Sequence, residues 1–120
     1  MNHIALGELG EKAAISYLET KGYTVLVHKY RTKTGEIDII AGDGGVIVFV
    51  EVKTRRNNAY GLPCESVNYR KQRKIIKTAQ WYLNHSGAYD SPCRFDILEI
   101  IITNLKEKPC INHIIHAFGE

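Results

Sequence analysis

The sequence predicts a single α/β domain, residues 1–120, in which helices flank a mixed β-sheet in the order α-β-β-β-α-β, with a further strand at the end. Two segments carry apolar residues at helical spacing, and four or five short segments are rich in β-branched and aromatic residues. The chain has 120 residues, 44% hydrophobic and 24% charged, as is typical of one soluble domain with one core. It contains no internal repeat, low-complexity tract or linker.

The first helix is predicted from about Ile4 to Lys21, and Gly22 is a natural C-terminal stop. Its apolar face consists of Leu6, Leu9, Ala13, Ala14, Tyr17 and Leu18. Three strands are predicted next, at residues 23–30, 35–41 and 46–53. The second and third are separated by GDGG, a turn sequence, and we expect them to form a hairpin.

A loop containing Tyr60, Gly61 and Pro63 leads to a second helix, predicted from about Asn68 to Asn84. One face of this helix is formed by Gln72, Ile75, Ile76, Ala79, Tyr82 and Leu83. The stretch RFDILEIII (94–102) predicts a strand, and CINHIIHAF (110–118) predicts an edge strand after a turn.

Composition argues against several classes of protein. Residues 1–13 lack a basic segment followed by a long apolar one, and no apolar run approaches the roughly 18 residues that cross a bilayer. We therefore expect a cytoplasmic protein with no membrane partner. Neither a disulfide framework nor a zinc site is indicated by the three cysteines, which are widely spaced, or by His113 and His116, which lack supporting ligands.

The third predicted strand carries two charges in an otherwise apolar run, IVFVEVKTR (47–55). Because side chains alternate along a strand, Glu51 and Lys53 share a face with Ile47 and Phe49, while valines occupy the other face. Charges in such a strand are costly unless they are paired, hydrogen-bonded or bound to a cation. A local ion pair near the strand end is the simplest interpretation of E-x-K taken alone.

The hairpin brings further carboxylates to Glu51, in one of two registers. If Gly44 and Gly45 form a two-residue turn, Asp38 lies directly opposite Glu51. If Asp43 and Gly44 form it, Glu36 faces Glu51 and Asp38 is its diagonal neighbour. Either register places carboxylates beside Lys53. Opposed like charges destabilise a sheet, so a divalent cation between them is expected, and oxygen ligands favour Mg²⁺ or Mn²⁺ over zinc.

Basic residues are concentrated between positions 53 and 77, although the net charge is only +3. Glu65 is the one acidic residue between positions 53 and 77. A block of this kind favours a polyanion such as nucleic acid, through phosphate neutralisation. A solvated helix face is the alternative.

The order and spacing of these motifs resemble a known family. An acidic residue on one strand, E-x-K on the next and a preceding helix with glutamate resemble the PD-(D/E)xK nuclease superfamily, which includes restriction enzymes and archaeal Holliday-junction resolvases. More closely, GELGEKAAISYLETKGY, GEIDIIA, VFVEVKTR, GLPCESVNYRKQRKIIKTAQWYL and RFDILEI resemble the YraN-type family of predicted bacterial endonucleases. The resemblance covers about Gly7 to Phe118 and implies a restriction-endonuclease-like sheet. Ile37 stands where the superfamily name has proline.

Residue by residue, the resemblance implies that Asp38 and Glu51 are metal ligands, with the Val52 carbonyl as a backbone ligand. Lys53 is then the charged group beside the attacking water. Glu8 is implied as a further ligand or as the anchor of a water, although the helix dipole alone favours a glutamate in an early turn. Glu36 shares a strand face with Asp38, although a residue at the start of the strand can equally be exposed. The nucleic-acid contacts are expected among Arg55, Arg56, Arg70, Lys71 and Lys74, with Gln72 either approaching the site or packing the helix.

These features together predict an Mg²⁺- or Mn²⁺-dependent endonuclease that hydrolyses DNA phosphodiester bonds with preference for DNA structure, including branched or flapped DNA. Two alternatives stay open: a nucleic-acid-binding or assembly module that does not cleave, and an RNA-directed nuclease. Analogy with resolvases also allows a homodimer.

Overall fold

The computed structural model describes residues 2–56 and 67–119. The elements are α1 (His3–Thr20), β1 (Thr24–Thr32), β2 (Gly35–Asp43), β3 (Val46–Arg55), α2 (Tyr69–His85), β4 (Cys93–Ile101) and β5 (Cys110–Phe118). The predicted α/β class and element order are confirmed, including the last strand at 110–118. Tyr60, Gly61, Pro63 and Cys64 lie outside the described residues.

All five strands form one mixed sheet in the order β1-β2-β3-β4-β5. Neighbouring strands are antiparallel except β3 and β4, which are parallel. A parallel pair needs a long crossover between its strands, and α2 belongs to that crossover. The strand with the two unexpected charges, β3, therefore lies at the centre of the sheet.

The two helices cover opposite faces of the sheet. Phe49 of β3 belongs to a core cluster with Ile75, Ile76 and Ala79 of α2. The valines of the other face, Val48 and Val50, form a second cluster with Ala14 and Leu18 of α1. This confirms the predicted alternation along β3, and α2 covers the face that carries Glu51 and Lys53.

A glycine lets α1 approach the end of β3. A Cβ atom on Gly10 would lie 1.8 Å from Thr54 Oγ1 and 2.7 Å from Thr54 Cβ, so any side chain there would force the helix away. The close approach holds α1 against the sheet one residue beyond Lys53.

Both helices begin at an asparagine cap. The Asn2 side chain accepts a hydrogen bond from the Ala5 amide at 2.8 Å, and the Asn68 side chain accepts one from the Lys71 amide at 2.9 Å. The second cap sets the start of α2, and thereby the position of Lys71.

The β2–β3 turn is formed by Gly44 and Gly45, with φ values of 55° and 92°. A two-residue hairpin turn of this kind needs positive φ at both central residues, which glycine adopts without strain. Asp43 consequently pairs with Val46, as the first of the two predicted registers requires. Neither described helix has the length and apolar character needed to cross a bilayer.

Candidate active site

Asp38 and Glu51 meet where the β2–β3 backbone ladder gives way to a side-chain contact. Backbone pairing runs from Asp43–Val46 to Ile39–Val50. One residue further, Asp38 Oδ2 accepts a hydrogen bond from the Val52 amide at 2.8 Å. The bond fixes the Asp38 carboxyl group beside Glu51, a buried residue with 9% of its surface exposed.

The two carboxyl groups are in hydrogen-bond contact. Burial, the hydrogen bond to Glu51 and the negative charge of Glu51 together raise the pKa of Asp38 to about 9, against the opposing effect of the Val52 amide. At neutral pH, therefore, the pair holds a proton between its oxygens. A sheet keeps two such groups together only if a proton or a cation neutralises them.

Two lysines complete the cluster from different elements. Lys71 Nζ of α2 lies 3.3 Å from Glu51 Oε2 and also contacts the Lys53 side chain. Burial, the hydrogen bond with Lys71 and the Lys71 charge lower the pKa of Lys53, although Glu51 and Asp38 act in the opposite direction. For Lys71, burial acts to lower the pKa, but the contact with Lys53 and the charge of Glu51 outweigh it and raise the pKa. Lys53 is thus the amine that loses its proton more readily.

The donor set fits a hard divalent cation. Two adjacent carboxylates supply oxygen ligands, and Mg²⁺ typically binds through one or two carboxylates together with water and substrate phosphate. Among the described residues, no three His, Cys, Asp or Glu side chains gather into a metal-binding group. Asp38 and Glu51 could supply two of the oxygen ligands of Mg²⁺ or Mn²⁺, and water and substrate phosphate could supply the others.

Two carboxylates of the first helix are relevant to the site, Glu8 and Glu11. Glu8 is exposed and lines a shallow pocket with Ala5, Leu9 and Lys12, so its part in the site stays a prediction. Glu11, three residues later, is half-buried, and its negative charge helps to raise the pKa of Asp38. Its Oε1 atom lies 2.7 Å from His28 Nε2. Sequence reasoning missed Glu11.

Arg55 forms an ion pair within the sheet, and its contact with a phosphate stays a prediction. Its Nε atom lies 3.3 Å from Oε2 of Glu99, a buried residue of β4. Glu99 also accepts a hydrogen bond from the Asn112 side chain at 3.0 Å, and its backbone is paired with that of Lys53. Alternation along RFDILEIII was the signal that could have placed Glu99 on the side of the sheet that carries Lys53.

The other predicted nucleic-acid contacts are accessible. Arg56, Arg70 and Lys74 are exposed, whereas Lys71 is half-buried within the cluster described above. An accessible basic residue can bind a phosphate, and that role for these three residues stays a prediction.

Two neighbours of the site have other partners. Glu36 Oε2 accepts a hydrogen bond from Arg31 Nε at 2.9 Å, on the β1 side of β2. Gln72 donates to the Val67 carbonyl at 2.8 Å and so supports the start of α2. The helix-packing alternative for Gln72 is the one that the structure supports.

The two histidines of β5 contact Asp96 of β4. His113 Nε2 lies 2.7 Å from Asp96 Oδ2, and the Tyr17 hydroxyl lies 3.1 Å from His113 Nδ1. The His116 amide donates to Asp96 Oδ1 at 3.2 Å. These contacts join β4, β5 and α1, so they are structural.

Similarity to other proteins extends over nearly the whole chain. The model of uncharacterised protein family UPF0102 matches residues 10–100. A UPF0102 protein of Alkaliphilus metalliredigens is 51% identical over 114 residues, covering 95% of this chain and 97% of the relative. One from Clostridioides difficile is 45% identical, covering 98% and 100%, and one from Caldanaerobacter subterraneus is 46% identical, covering 98% of each. The segments that carry Asp38, Glu51, Lys53 and Lys71 all lie within the match.

Proposed function

The chain belongs to the UPF0102 family, and we propose that it is a divalent-metal-dependent nuclease of the PD-(D/E)xK superfamily that hydrolyses DNA phosphodiester bonds, selecting its substrate by DNA structure. One observation carries the proposal: Asp38 and Glu51 are in hydrogen-bond contact, beside two lysines whose side chains contact each other. A sheet that needed only stability would gain from apolar residues at these positions.

Asp38, Glu51 and the Val52 carbonyl are the groups that would hold Mg²⁺ or Mn²⁺. When bound, the ion supplies positive charge against the charge that accumulates on the phosphoryl oxygens during hydrolysis. The hydrogen bond from the Val52 amide holds the Asp38 carboxyl group in place beside Glu51.

The lysines perform separate tasks. Lys53, whose pKa is lowered, accepts a proton from the water that attacks phosphorus as one phosphorus–oxygen ester bond breaks. Lys71, whose pKa is raised, keeps its positive charge and faces the negatively charged phosphoryl group. The leaving oxygen takes a proton from solvent.

Cleavage of labelled nucleic acids tests the proposal. Single-stranded, duplex, flapped and four-way-junction DNA, with RNA strands of the same sequence, are incubated with the protein and Mg²⁺, Mn²⁺ or EDTA. Glu51→Gln, purified identically, reveals any contaminating nuclease. We expect products that need the metal, vanish in the variant, and form faster on one DNA structure than on the others.

The remaining outcomes separate the alternatives. Metal-dependent cleavage of RNA in preference to DNA would support the RNA-directed nuclease. Tight binding of DNA with no product in either metal would support the binding or assembly module. Products that persist unchanged in Glu51→Gln would show that another group, or another protein, performs the reaction.

A further inference from the structure

An open groove of about 370 Å³ lies between α2 and the turn that joins β1 to β2. It is lined by Tyr30, Arg31, Thr32, Lys33, Thr34 and Trp81. Its walls are tied together, because the hydroxyl oxygens of Thr34 and Thr78 lie 2.9 Å apart. The groove is therefore a fixed feature of the surface between two elements.

Trp81 is presented to this groove in a defined orientation. Half of its surface is exposed, although a tryptophan is normally well buried. The His85 ring stacks against it at 3.9 Å between centroids and 17° between planes, and His85 Nδ1 lies 2.9 Å from the Trp81 carbonyl oxygen. An exposed aromatic ring supported in this way offers a flat surface for a second ring.

The surroundings of Trp81 are strongly basic. One exposed face of α2 carries three basic residues together with Trp81, because successive members are three or four residues apart. These basic residues are Arg70, Lys74 and Lys77. Arg31 and Lys33 stand on the opposite wall of the groove. Arg31 pairs with Glu36, which leaves the basic residues in clear excess. A polyanion that carries planar rings matches this combination better than a peptide does.

The basic face leads back to the candidate active site. Arg70 is adjacent to Lys71, which pairs with Glu51. Trp81 lies eleven helical steps after Arg70, or about 16 Å at the rise of an α-helix. That length equals about five phosphate steps of a strand in B-DNA geometry. A strand cleaved at the carboxylate pair would therefore reach Trp81 a few nucleotides away.

We propose that the groove binds an unpaired nucleobase by stacking it on Trp81. Bases inside a duplex are already stacked on each other and would have to be extruded, whereas a single strand offers them freely. This binding role rests on the proposed function. If the protein is a nuclease, its substrate is DNA with a single-stranded segment a few nucleotides from the cleaved phosphate.

The fluorescence of the protein reports on this contact directly, because Trp81 is the only tryptophan of the chain. Glu51→Gln serves as the parent, so that the strand stays intact in the presence of metal. It is titrated with a single-stranded oligonucleotide, with the blunt duplex of the same sequence, and with an abasic strand of equal length. We expect quenching by the first alone.

Binding of the same strands by Trp81→Ala provides the second readout. We expect affinity for the single strand to fall about tenfold or more, the scale of one lost base stack, with little change for the duplex or the abasic strand. Tyr89→Ala, which removes an exposed aromatic ring from the turn after α2, should bind like the parent.

Unquenched fluorescence with a bound single strand, or equal affinity in Trp81→Ala and the parent, would overturn the inference. So would equal losses for the abasic and the normal strand, since these would indicate a role without base stacking. Wild-type cleavage of DNA unaffected by Trp81→Ala would refute this inference alone. Base stacking without cleavage of any strand would instead refute the proposed function.

Discussion

Asp38 has a pKa that its burial and its contact with Glu51 shift strongly. Its pKa is raised from 3.8 to about 9, chiefly by burial and by the hydrogen bond and charge of Glu51. The folded protein keeps this proton over a pH range in which the unfolded chain has lost it. The unfolded state therefore binds fewer protons there, and the carboxyl pair costs stability as pH rises.

This linkage predicts the effect of Asp38→Asn in metal-free buffer. The free energy of unfolding of the wild type should fall between pH 4 and pH 9, by at most about 1.4 kcal/mol per pH unit from this group. The variant should be more stable than the wild type at neutral pH, with a flatter profile. Urea unfolding at a series of pH values in EDTA measures both. If the free energy of unfolding depends on pH in the same way in both proteins, the ionisation of Asp38 does not affect stability.

Lys71 is expected to tune Lys53 as well as to carry charge. Lys71→Gln removes a hydrogen-bond partner and a positive charge that lower the pKa of Lys53. The rising limb of the pH–rate profile for DNA cleavage should therefore move to higher pH, because Lys53 then holds its proton more tightly. Lys74→Gln, an exposed change one turn away, should weaken DNA binding without moving the limb. If the rising limb of the pH–rate profile stays in place in Lys71→Gln, Lys71 does not set the pKa of Lys53.

At the level of the elements, the β2–β3 hairpin could be predicted up to a choice of turn. Hydrophobic alternation and GDGG identified both strands and their shared face. Choosing the register required the backbone of Gly44 and Gly45, since only the Gly-Gly turn keeps Asp43 out of the positive-φ region. Beyond the Ile39–Val50 pair, a side-chain hydrogen bond from the Val52 amide to Asp38 takes the place of backbone pairing. Hydrophobic periodicity cannot predict this change.

The rotation of α1 against the sheet depends on a glycine as well as on apolar side chains. Its buried residues are Leu6, Gly10, Ala14 and Leu18, a row at four-residue spacing that includes a glycine which the apolar pattern had omitted. At about 100° per residue, Glu11 lies nearer to this row than Glu8 does. The spacing of apolar side chains alone underweights a glycine, although close packing is what makes it useful.

Gly10→Ala tests that packing. The added Cβ would overlap the Thr54 side chain, so α1 must move away from β3, and we expect a loss of about 1–3 kcal/mol in stability. Cleavage should weaken too, because Thr54 adjoins Lys53. Gly7→Ala is the matched control: among the described residues a Cβ there meets no atom within 4 Å, so it should be neutral or stabilising through helix propensity. Thermal unfolding compares them, and equal melting temperatures would contradict the packing argument.

In the whole molecule, a buried polar network connects elements that are distant in the sequence. Arg94 Nη2 donates to the Tyr23 hydroxyl at 2.6 Å, and Arg94 Nη1 donates to Asp43 Oδ2 at 3.3 Å. Its Nε atom donates to Asp96, which has no exposed surface and also contacts His113 of β5. Burial acts to raise the pKa of Asp96, but the His113 and Arg94 hydrogen bonds and the His116 amide outweigh it and lower the pKa.

Asp96→Asn should therefore unfold far more readily, losing about 3 kcal/mol, since it leaves Arg94 without its buried anionic partner. A carboxylate with a lowered pKa stabilises the protein above the unfolded value of 3.8 and loses that contribution as pH falls further. The deficit of the variant should consequently shrink in acid. Asp90→Asn, at an exposed turn, should change stability by less than about 0.5 kcal/mol. Chemical unfolding at neutral and acidic pH compares the wild type and the two variants. If the stability lost in Asp96→Asn is the same at both pH values, the negative charge of Asp96 does not provide the stabilisation.

We propose that the Asp38–Glu51 pair, which the sheet holds between the two helices, binds a divalent cation. Calorimetric titration of Mn²⁺ into the protein, with an uncleaved oligonucleotide bound, tests it most directly. We expect the wild type and Asp90→Asn to bind the ion alike, and Asp38→Asn to bind it at least tenfold more weakly. Equal affinity in Asp38→Asn and the wild type, or no uptake by the wild type, would contradict the claim.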